Sequence, residues 1–248
     1  MAINRAAQRK AIAPKEEVGA GFPISKSELE AYFDCPAKYQ FMRRWQPLVV
    51  NQELQDGIDA HAILAGAGGL PANPRAIKLA GALGDLEAGY TLAEVGGQPW
   101  REQYQIVPWQ GFAIRRMIDA GGWLKRTPVL IDYKTANWAW TPIEGIYPKA
   151  LGFQPAMYLI PPPDPAPFKA WPERLDFLVA PSKGKPNIVD YERDEHDEAN
   201  LLEAATIVAE AKAFPKVQGW KCERCPFFDV CMETDQWQKK YEPRQSRA

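Results

Sequence analysis

The sequence predicts an α/β domain in which helices surround a mixed sheet. Its first third places apolar residues at helical spacing, and its middle alternates apolar and polar residues as half-buried strands do. The pattern then returns to helix, strand and helix, and no internal repeat is visible. With 248 residues, of which 46% are hydrophobic, the chain is long enough to build one large core.

The first third of the chain is predicted to be helical after a flexible arm. Residues 1–22 are polar and lack periodicity, which is typical of an unstructured arm. Ser25 and Glu28 form a capping-box pattern, in which each residue satisfies a free backbone N–H group at the start of a helix. Four helical segments are expected here, at 25–34, 39–45, 56–66 and 74–89.

The middle of the chain predicts an antiparallel meander of three strands, at 103–107, 112–120 and 129–133. Glycines at 121 and 122, followed by Thr127-Pro128, indicate the turn between the second strand and the third. The remainder is expected to form a helix at 144–160, strands at 175–180 and 188–191, and a helix at 194–213. Pro148 and Pro155 must start or kink the first of these helices.

Charge and hydropathy limit the classes of function. The net charge of −1 and the pI of about 6.2 give no global signal for nucleic acid, so local clusters such as Arg115-Arg116 would have to hold an anionic partner. Most such clusters are solvated faces. No apolar run approaches the roughly 20 residues that span a bilayer, and the N-terminus lacks a signal-peptide core. We therefore predict a cytoplasmic protein without membrane contact.

The four cysteines are divided unequally along the chain. Cys35 stands alone, whereas Cys222, Cys225 and Cys231 form a C-x2-C-x5-C run. This pattern suits a metal or a cluster whose fourth ligand joins the two ends of the domain, and a disulfide framework is disfavoured without a secretion signal. Zinc and iron–sulfur clusters both accept four thiolates, so the spacing alone leaves the choice between them open.

Two strand ends carry the residues that suggest catalysis. Asp119 ends one predicted strand, and Asp132-Tyr133-Lys134 ends the next. Strand alternation places Asp132 and Lys134 on one face and Tyr133 on the other. Two carboxylates from neighbouring strands can hold a divalent cation, and a nearby lysine can assist the attacking water in phosphodiester hydrolysis. The alternative is a pair of ordinary strand-end charges with a salt bridge.

Six motifs follow one another along the chain, and both their residues and their order are informative. In sequence they are Ile24-Ser25-x-Ser27-x-Leu29-x-x-Tyr32-x-x-Cys35-Pro36-x-x-Tyr39, Gly57-x-x-x-His61, Asp119, Ile131-Asp132-Tyr133-Lys134-Thr135, Gln154-x-x-x-Tyr158 and Cys222-x-x-Cys225-Pro226-x-x-x-x-Cys231. Together they resemble the RecB-family branch of the PD-(D/E)XK nucleases in its iron–sulfur form. One departure is that the family usually has Gly two or three residues before the first acidic group, where this chain has Arg115-Arg116-Met117-Ile118. The chain has no P-loop motif for an ATP motor.

The resemblance implies a restriction-endonuclease-like mixed central sheet flanked by helices over 23–240, followed by a tail at 241–248. It also implies ligands for Mg²⁺ or Mn²⁺, namely His61, Asp119, Asp132 and the backbone carbonyl of Tyr133. Lys134 would position water, and Gln154 and Tyr158 would orient Lys134 or the scissile phosphate. The four cysteines, Cys35, Cys222, Cys225 and Cys231, would carry a structural [4Fe–4S] cluster that joins the N- and C-terminal segments.

The expected function is that of a metal-dependent deoxyribonuclease, acting as an exonuclease on DNA ends or single strands. Its partners would be DNA and proteins of recombination, phage replication or CRISPR adaptation. A non-catalytic DNA-binding or assembly subunit with the same fold is the alternative, and a zinc-stapled binding module would explain the cysteines alone. Glu102 reads as an edge charge or an outer acidic group, and Trp138 and Trp140 as core residues or stacking platforms.

Overall fold

The computed structural model describes residues 23–47, 52–66, 73–138, 152–219, 222, 225–231 and 241–243. The predictions for the arm at 1–22, for Pro148 and for Trp140 lie outside these residues, as does the side chain of Trp138. The described helices are α1 (Lys26–Asp34), α2 (Pro36–Arg44), α3 (Gln52–Leu64), α4 (Pro74–Glu87), α5 (Gln154–Leu159), α6 (Glu195–Glu210) and α7 (Phe228–Cys231). The described strands are β1 (Trp45–Pro47), β2 (Thr91–Leu92), β3 (Glu94–Val95), β4 (Gln98–Pro99), β5 (Arg101–Trp109), β6 (Phe112–Leu124), β7 (Thr127–Trp138), β8 (Arg174–Lys183), β9 (Asn187–Glu192) and β10 (Tyr241–Pro243).

A mixed, mostly antiparallel sheet of six strands forms the centre of the molecule. Strand β6 has β7 on one side and both β2 and β5 on the other, and β8 and β9 follow beyond β7. The pair β7 and β8 is parallel, whereas the other neighbours are antiparallel. A parallel pair needs a crossover connection, and α5 lies within the connection between β7 and β8. The predicted meander is confirmed in β5, β6 and β7.

Two layers of helices cover the two faces of this sheet. Leu130 and Phe177 belong to a core that also contains residues of α1, α5 and α6. Their chain neighbours Ile131 and Leu178 point the other way, into a second core shared with α3 and α4. This alternation is what the period-two sequence pattern predicts for strands that are buried on both faces.

The first helix begins where its sequence signal indicates. The backbone N–H of Ser25 donates to the carboxylate of Glu28 at 3.0 Å, and the two residues complete the predicted capping box. Several of the expected boundaries differ from the structure, and two examples are at the ends of helices. The second helical segment ends at Arg44, because Trp45 begins β1, and the last long helix ends at Glu210 rather than near 213.

The predicted turn at the paired glycines is wrong. Strand β6 runs through Gly121 and Gly122, and the chain turns only at Lys125, whose φ is +59°. Packing requires glycine at position 121, because a Cβ atom there would lie 2.7 Å from the ring of Trp100. At Gly122 the backbone carbonyl of Thr91 on β2 comes closer still. The glycines therefore permit close contact within the sheet.

The last described segment of the chain pairs with an early strand in a small separate sheet. Strands β1 and β10 pair in antiparallel fashion, so Tyr241–Pro243, which the sequence analysis assigned to the tail, lies beside Trp45–Pro47. A search of the described residues finds no helix that is both long enough and apolar enough to cross a membrane.

Candidate active site

The central strands β6 and β7 separate at two buried carboxylates. The last residue pair of their ladder is Ala120 with Ile131, and Asp119 and Asp132 come next. There the backbone N–H of Tyr133 donates to the carboxylate of Asp119 at 2.8 Å. We call this point the strand opening, defined by Asp119 and Asp132. Their exposed fractions of 7% and 2% show that both acidic groups lie inside the protein.

Helix α3 reaches the strand opening through a close contact at Gly57. A Cβ atom on Gly57 would lie 2.8 Å from the hydroxyl of Thr135 on β7, so only glycine allows the helix to come this near. One helical turn later, Nδ1 of His61 lies 3.5 Å from a carboxylate oxygen of Asp119. The Gly57-x-x-x-His61 spacing thus has a geometric reason. The structure brings His61 and Asp119 together.

The second carboxylate is held from the opposite layer. Lys134 forms an ion pair with Asp132, and the side-chain amide of Gln154 donates to Asp132 Oδ1 at 2.6 Å. Gln154 was expected to orient Lys134 or a phosphate, whereas the structure places it on Asp132. Within α5, Gln154 and Tyr158 lie one turn apart, and the hydroxyl of Tyr158 donates to the carbonyl of Met117 on β6.

Tyr133 points away from the strand opening, as strand alternation predicts. Its hydroxyl donates to the carboxylate of Glu87 on α4 and accepts from Arg101 at 2.7 Å. Its ring lies edge-on to His61, with the two centroids 5.6 Å apart. The side chain therefore fixes β7 against α4, and its backbone N–H group still serves Asp119.

Glu102 joins the site, although the sequence favoured an edge charge. Its carboxylate, that of Asp119 and a nitrogen of His61 all lie within 4.8 Å of one another. The flanking ladder pairs place Glu102 on β5 opposite Asp119, and its φ of +52° is unusual for a residue other than glycine. Counting back from the Trp109 and Phe112 pair at the β5–β6 turn would have aligned positions 102 and 119.

The surroundings shift the pKa values of the two aspartates in opposite directions. Burial acts to raise the pKa of Asp119, but the neighbouring His61 and Lys134 and the Tyr133 N–H group outweigh it, and the net pKa is lowered. Burial raises the pKa of Asp132, with the charge of Asp119 adding to it and Lys134 offsetting it only in part. Burial acts to lower the pKa of His61, yet Asp119 raises it overall. A cation at this site would therefore compete with protons on His61 and Asp132.

The four cysteines also converge, in what we call the cysteine region. All four are free thiols. The Val217 N–H group lies 3.5 Å from the sulfur of Cys35, and the sulfur of Cys222 lies 3.7 Å from the Val217 carbonyl. Burial raises the pKa of Cys225, and the nearby Cys35 and Cys231 add to this effect. Chain segments that are far apart in sequence thus meet around one loop.

The sequence matches no family model, and comparison with curated proteins gives no match. A solved structure from Eubacterium rectale, named "Putative exonuclease", has a TM-score of 0.54 and 14% identity, covering 85% of this chain and 87% of that chain. The crystal structure of SSO0001 covers 90% of this chain and 91% of its own, with 16% identity and a TM-score of 0.42. The first comparison shows a similar fold, with a mixed sheet flanked by helices.

Proposed function

We propose that this protein is a metal-dependent DNA nuclease, acting as an exonuclease on DNA ends or single strands. The observation that carries the proposal is the convergence of His61, Asp119, Asp132 and Lys134 where β6 and β7 separate. These side chains come from one helix and two strands, and Gln154 of the opposite helix layer binds Asp132, which is more than a chance pair of strand-end charges requires. The likeness of the fold to a protein named as an exonuclease supports the same proposal.

The donor set fits a small divalent cation. One imidazole nitrogen with carboxylate oxygens suits Mn²⁺ or Mg²⁺, and the proposed ligands are His61, Asp119, Asp132 and the backbone carbonyl of Tyr133. Glu102 is a further candidate, because it lies within the same group of ligand atoms. When bound, the cation would supply Lewis-acid stabilisation of the charge that develops on the phosphate.

The remaining side chains have separate proposed tasks. Lys134 Nζ lies beside Asp132, at the strand opening, and 5.6 Å from the centroid of the Phe177 ring. There it can donate hydrogen bonds to the attacking water or to a phosphate oxygen. Gln154 holds Asp132, and Tyr158 holds β6 next to Asp119. These two residues therefore orient the carboxylates.

For the cysteine region we propose a structural [4Fe–4S] cluster on Cys35, Cys222, Cys225 and Cys231. Four reduced thiols suit it, and the N–H group of Gly219 lies 3.4 Å from the Cys222 sulfur, where it would stabilise a thiolate. The choice of this cluster over zinc rests on the resemblance of the Cys35-Pro36 and Cys222-x-x-Cys225-Pro226-x-x-x-x-Cys231 motifs to the iron–sulfur form of the nuclease family. Such a cluster also agrees with the proposed cytoplasmic location.

Digestion of end-labelled single- and double-stranded DNA with Mn²⁺, Mg²⁺ or EDTA tests the proposed activity. We expect cleavage with either metal and none with EDTA, and the label should leave as short products if the enzyme acts from ends. Asp132→Asn, purified in the same way, controls for contaminating nuclease. DNA binding without cleavage under every condition would instead favour the non-catalytic DNA-binding or assembly subunit. Roles in recombination, phage replication or CRISPR adaptation are proposals for later tests with partners.

Purification without oxygen tests the proposed cluster. The protein should be brown and should contain iron and sulfide in equal amounts, because a [4Fe–4S] cluster holds four of each. Colourless protein that carries one zinc ion per chain would contradict the cluster and leave the zinc site as the better description.

A further inference from the structure

The most unusual charged group outside the strand opening is Arg116 in β6. In the sequence, Arg115-Arg116 is a candidate cluster for an anionic partner, and most such clusters are solvated faces, but Arg116 is only 3% exposed. Burial lowers its pKa to about 9, so the guanidinium still carries its charge at neutral pH. A charge is expensive to bury unless many hydrogen bonds hold it. The position of Arg116 therefore calls for a specific structural reason.

The guanidinium of Arg116 binds the C-terminal end of α5. Its Nη1 atom donates to the carbonyl oxygens of Met157, Tyr158 and Ile160, at 2.8, 2.7 and 2.6 Å. The last carbonyls of a helix have no partner within the helix, and the negative end of the helix dipole favours a cation there. Arg116 supplies both the missing donors and the positive charge.

Two neighbours fix the guanidinium in this position. Its Nε atom donates to the side chain of Gln105 on β5 at 2.9 Å, and its carbon atom lies 4.8 Å from the centroid of the Trp171 ring. The indole N–H of Trp171 donates to the carbonyl of Tyr158 at 3.0 Å, so Trp171 binds the same end of α5. Arg116 is thus held at the helix end by the uncharged side chains of Gln105 and Trp171.

The other end of α5 reaches the strand opening. Gln154 begins the helix and donates to Asp132, and Tyr158 donates to the carbonyl of Met117. With only six residues, α5 is too short to be stable by itself, so its placement depends on such contacts. We propose that Arg116 is a positioning residue, which anchors α5 so that Gln154 holds Asp132 in the orientation that the site needs. The consequence for cleavage rests on the proposed function, whereas the effect on the contact between Gln154 and Asp132 does not.

A double-mutant cycle separates positioning from general stability. Arg116→Met removes the anchor, and Arg115→Met is the matched control, because Arg115 is the adjacent arginine but pairs with Glu28 on α1. We expect Arg116→Met to lower kcat about 10- to 100-fold, as loss of a group that orients a ligand does, with little change in KM for DNA. If Arg116 acts through Gln154, adding Arg116→Met to Gln154→Ala should reduce kcat little further, whereas Arg115→Met should add its full effect. Full additivity of Arg116→Met and Gln154→Ala would overturn the proposal.

A second measurement tests the proposal if Arg116→Met does not fold, or if the protein does not cleave DNA. Arg116→Lys keeps the charge, but a single ammonium group cannot bind Gln105 and all three carbonyls with the same geometry. In metal-free protein, the NMR signals of the Gln154 side-chain amide report its contact with Asp132 directly. We expect these signals to shift in Arg116→Lys and to stay in place in Arg115→Met. Unchanged Gln154 signals in Arg116→Lys would contradict the proposal, even if the wild-type protein proved to be no nuclease.

Discussion

The strand opening and the cysteine region set their geometry in different ways. At the strand opening, Asp119 and Asp132 are each held by other side chains or by backbone groups of the central sheet and its helices. In the cysteine region, Cys35 lies between α1 and α2, and the run from Cys222 to Cys231 lies near the other end of the chain. The contacts described there come chiefly from the backbone of the intervening loop.

This difference predicts opposite consequences for the two proposed ligands. The carboxylates are already arranged by hydrogen bonds within a buried sheet, so removal of a cation should leave the fold largely intact. The cysteines lie on segments 187 positions apart, counted from Cys35 to Cys222, and a ligand that joins them would close a very long loop. Loss of that ligand should therefore affect stability more than chemistry.

The largest effect on catalysis is expected from Asp132→Asn at the strand opening. The substitution removes an anionic ligand, and we expect cleavage to fall by at least about 1000-fold, which corresponds to about 4 kcal/mol in the activation barrier. Relief of the repulsion between Asp132 and Asp119 should preserve the fold, so DNA binding should persist. Cleavage rates and DNA-binding titrations on the purified variant measure both. Cleavage near the wild-type rate would remove Asp132 from the active site.

In the cysteine region, Cys35→Ala or Cys225→Ala should lower stability and spare the chemistry. For a closed loop of this length the chain-entropy treatment gives about 5 kcal/mol, and a lost cluster should approach this value. Thermal unfolding beside activity per folded molecule provides the test. Unchanged melting temperatures for both variants would show that the cysteine region does not join the ends of the fold.

The sequence predicted the strand opening better than its surroundings. Asp119, Asp132 and Lys134 could be placed from strand alternation, because a period of two leaves few choices once the buried runs are found. The position of Arg116 could not be predicted, since its partners are backbone carbonyls of a helix about 40 residues later along the chain. Glu102 was underrated because its role depends on strand register and a left-handed backbone, which local patterns do not encode.

The paired glycines Gly121 and Gly122 show that sequence patterns also failed to predict part of the fold. Glycines in sequence most often indicate a turn, but Gly121 and Gly122 lie within β6, where neighbouring groups leave no space for a Cβ atom. That crowding involves Trp100 and the backbone of β2, both of which are brought there by tertiary structure. Local elements were therefore predictable from local signals, whereas the reasons for close packing were not.

The pH dependence of Mn²⁺ binding should distinguish the strand opening from an ordinary salt bridge. The pKa of His61 is raised, chiefly by Asp119 against the effect of burial, and burial raises that of Asp132. Mn²⁺ must displace any proton on these groups, so its affinity should fall by about tenfold per pH unit below the raised pKa of His61. Calorimetry across this range tests the expectation, and His61→Gln should flatten the profile. Affinity independent of pH in the wild-type protein would argue against His61 as a ligand.

In the metal-free protein, the contact between His61 and Asp119 should make stability fall as the pH rises, opposite to the trend expected for Mn²⁺ affinity. A raised pKa of His61 in the folded state means that its contact with Asp119 stabilises the fold fully at pH values below the unfolded pKa of about 6.5. This contribution is lost as the pH rises through the folded pKa. Urea unfolding with and without Mn²⁺ should therefore give opposite slopes of stability against pH in this range.

The smallest predicted effect concerns the approach of α3 to the strand opening. Gly57→Ala places a Cβ atom against Thr135 and should destabilise the protein by about 1 to 2 kcal/mol, as overpacking does, while weakening Mn²⁺ binding through His61. Gly81→Ala is the matched control on α4, because no atom lies within 4 Å of the added Cβ atom. The control should stabilise the protein by about 0.5 to 1 kcal/mol. Equal effects of the two substitutions would show that the Gly57 contact is unimportant.

The most direct test of the active-site proposal is Mn²⁺ calorimetry on wild-type protein, Lys134→Ala and Asp132→Asn, with DNA cleavage measured on the same samples. Asp132 is proposed to hold the cation, and Lys134 to act on water and phosphate. We therefore expect Lys134→Ala to bind Mn²⁺ without cleaving DNA, and Asp132→Asn to lose both tight Mn²⁺ binding and cleavage. Cleavage at the wild-type rate by Lys134→Ala, or unchanged Mn²⁺ affinity in Asp132→Asn, would contradict the proposed active site.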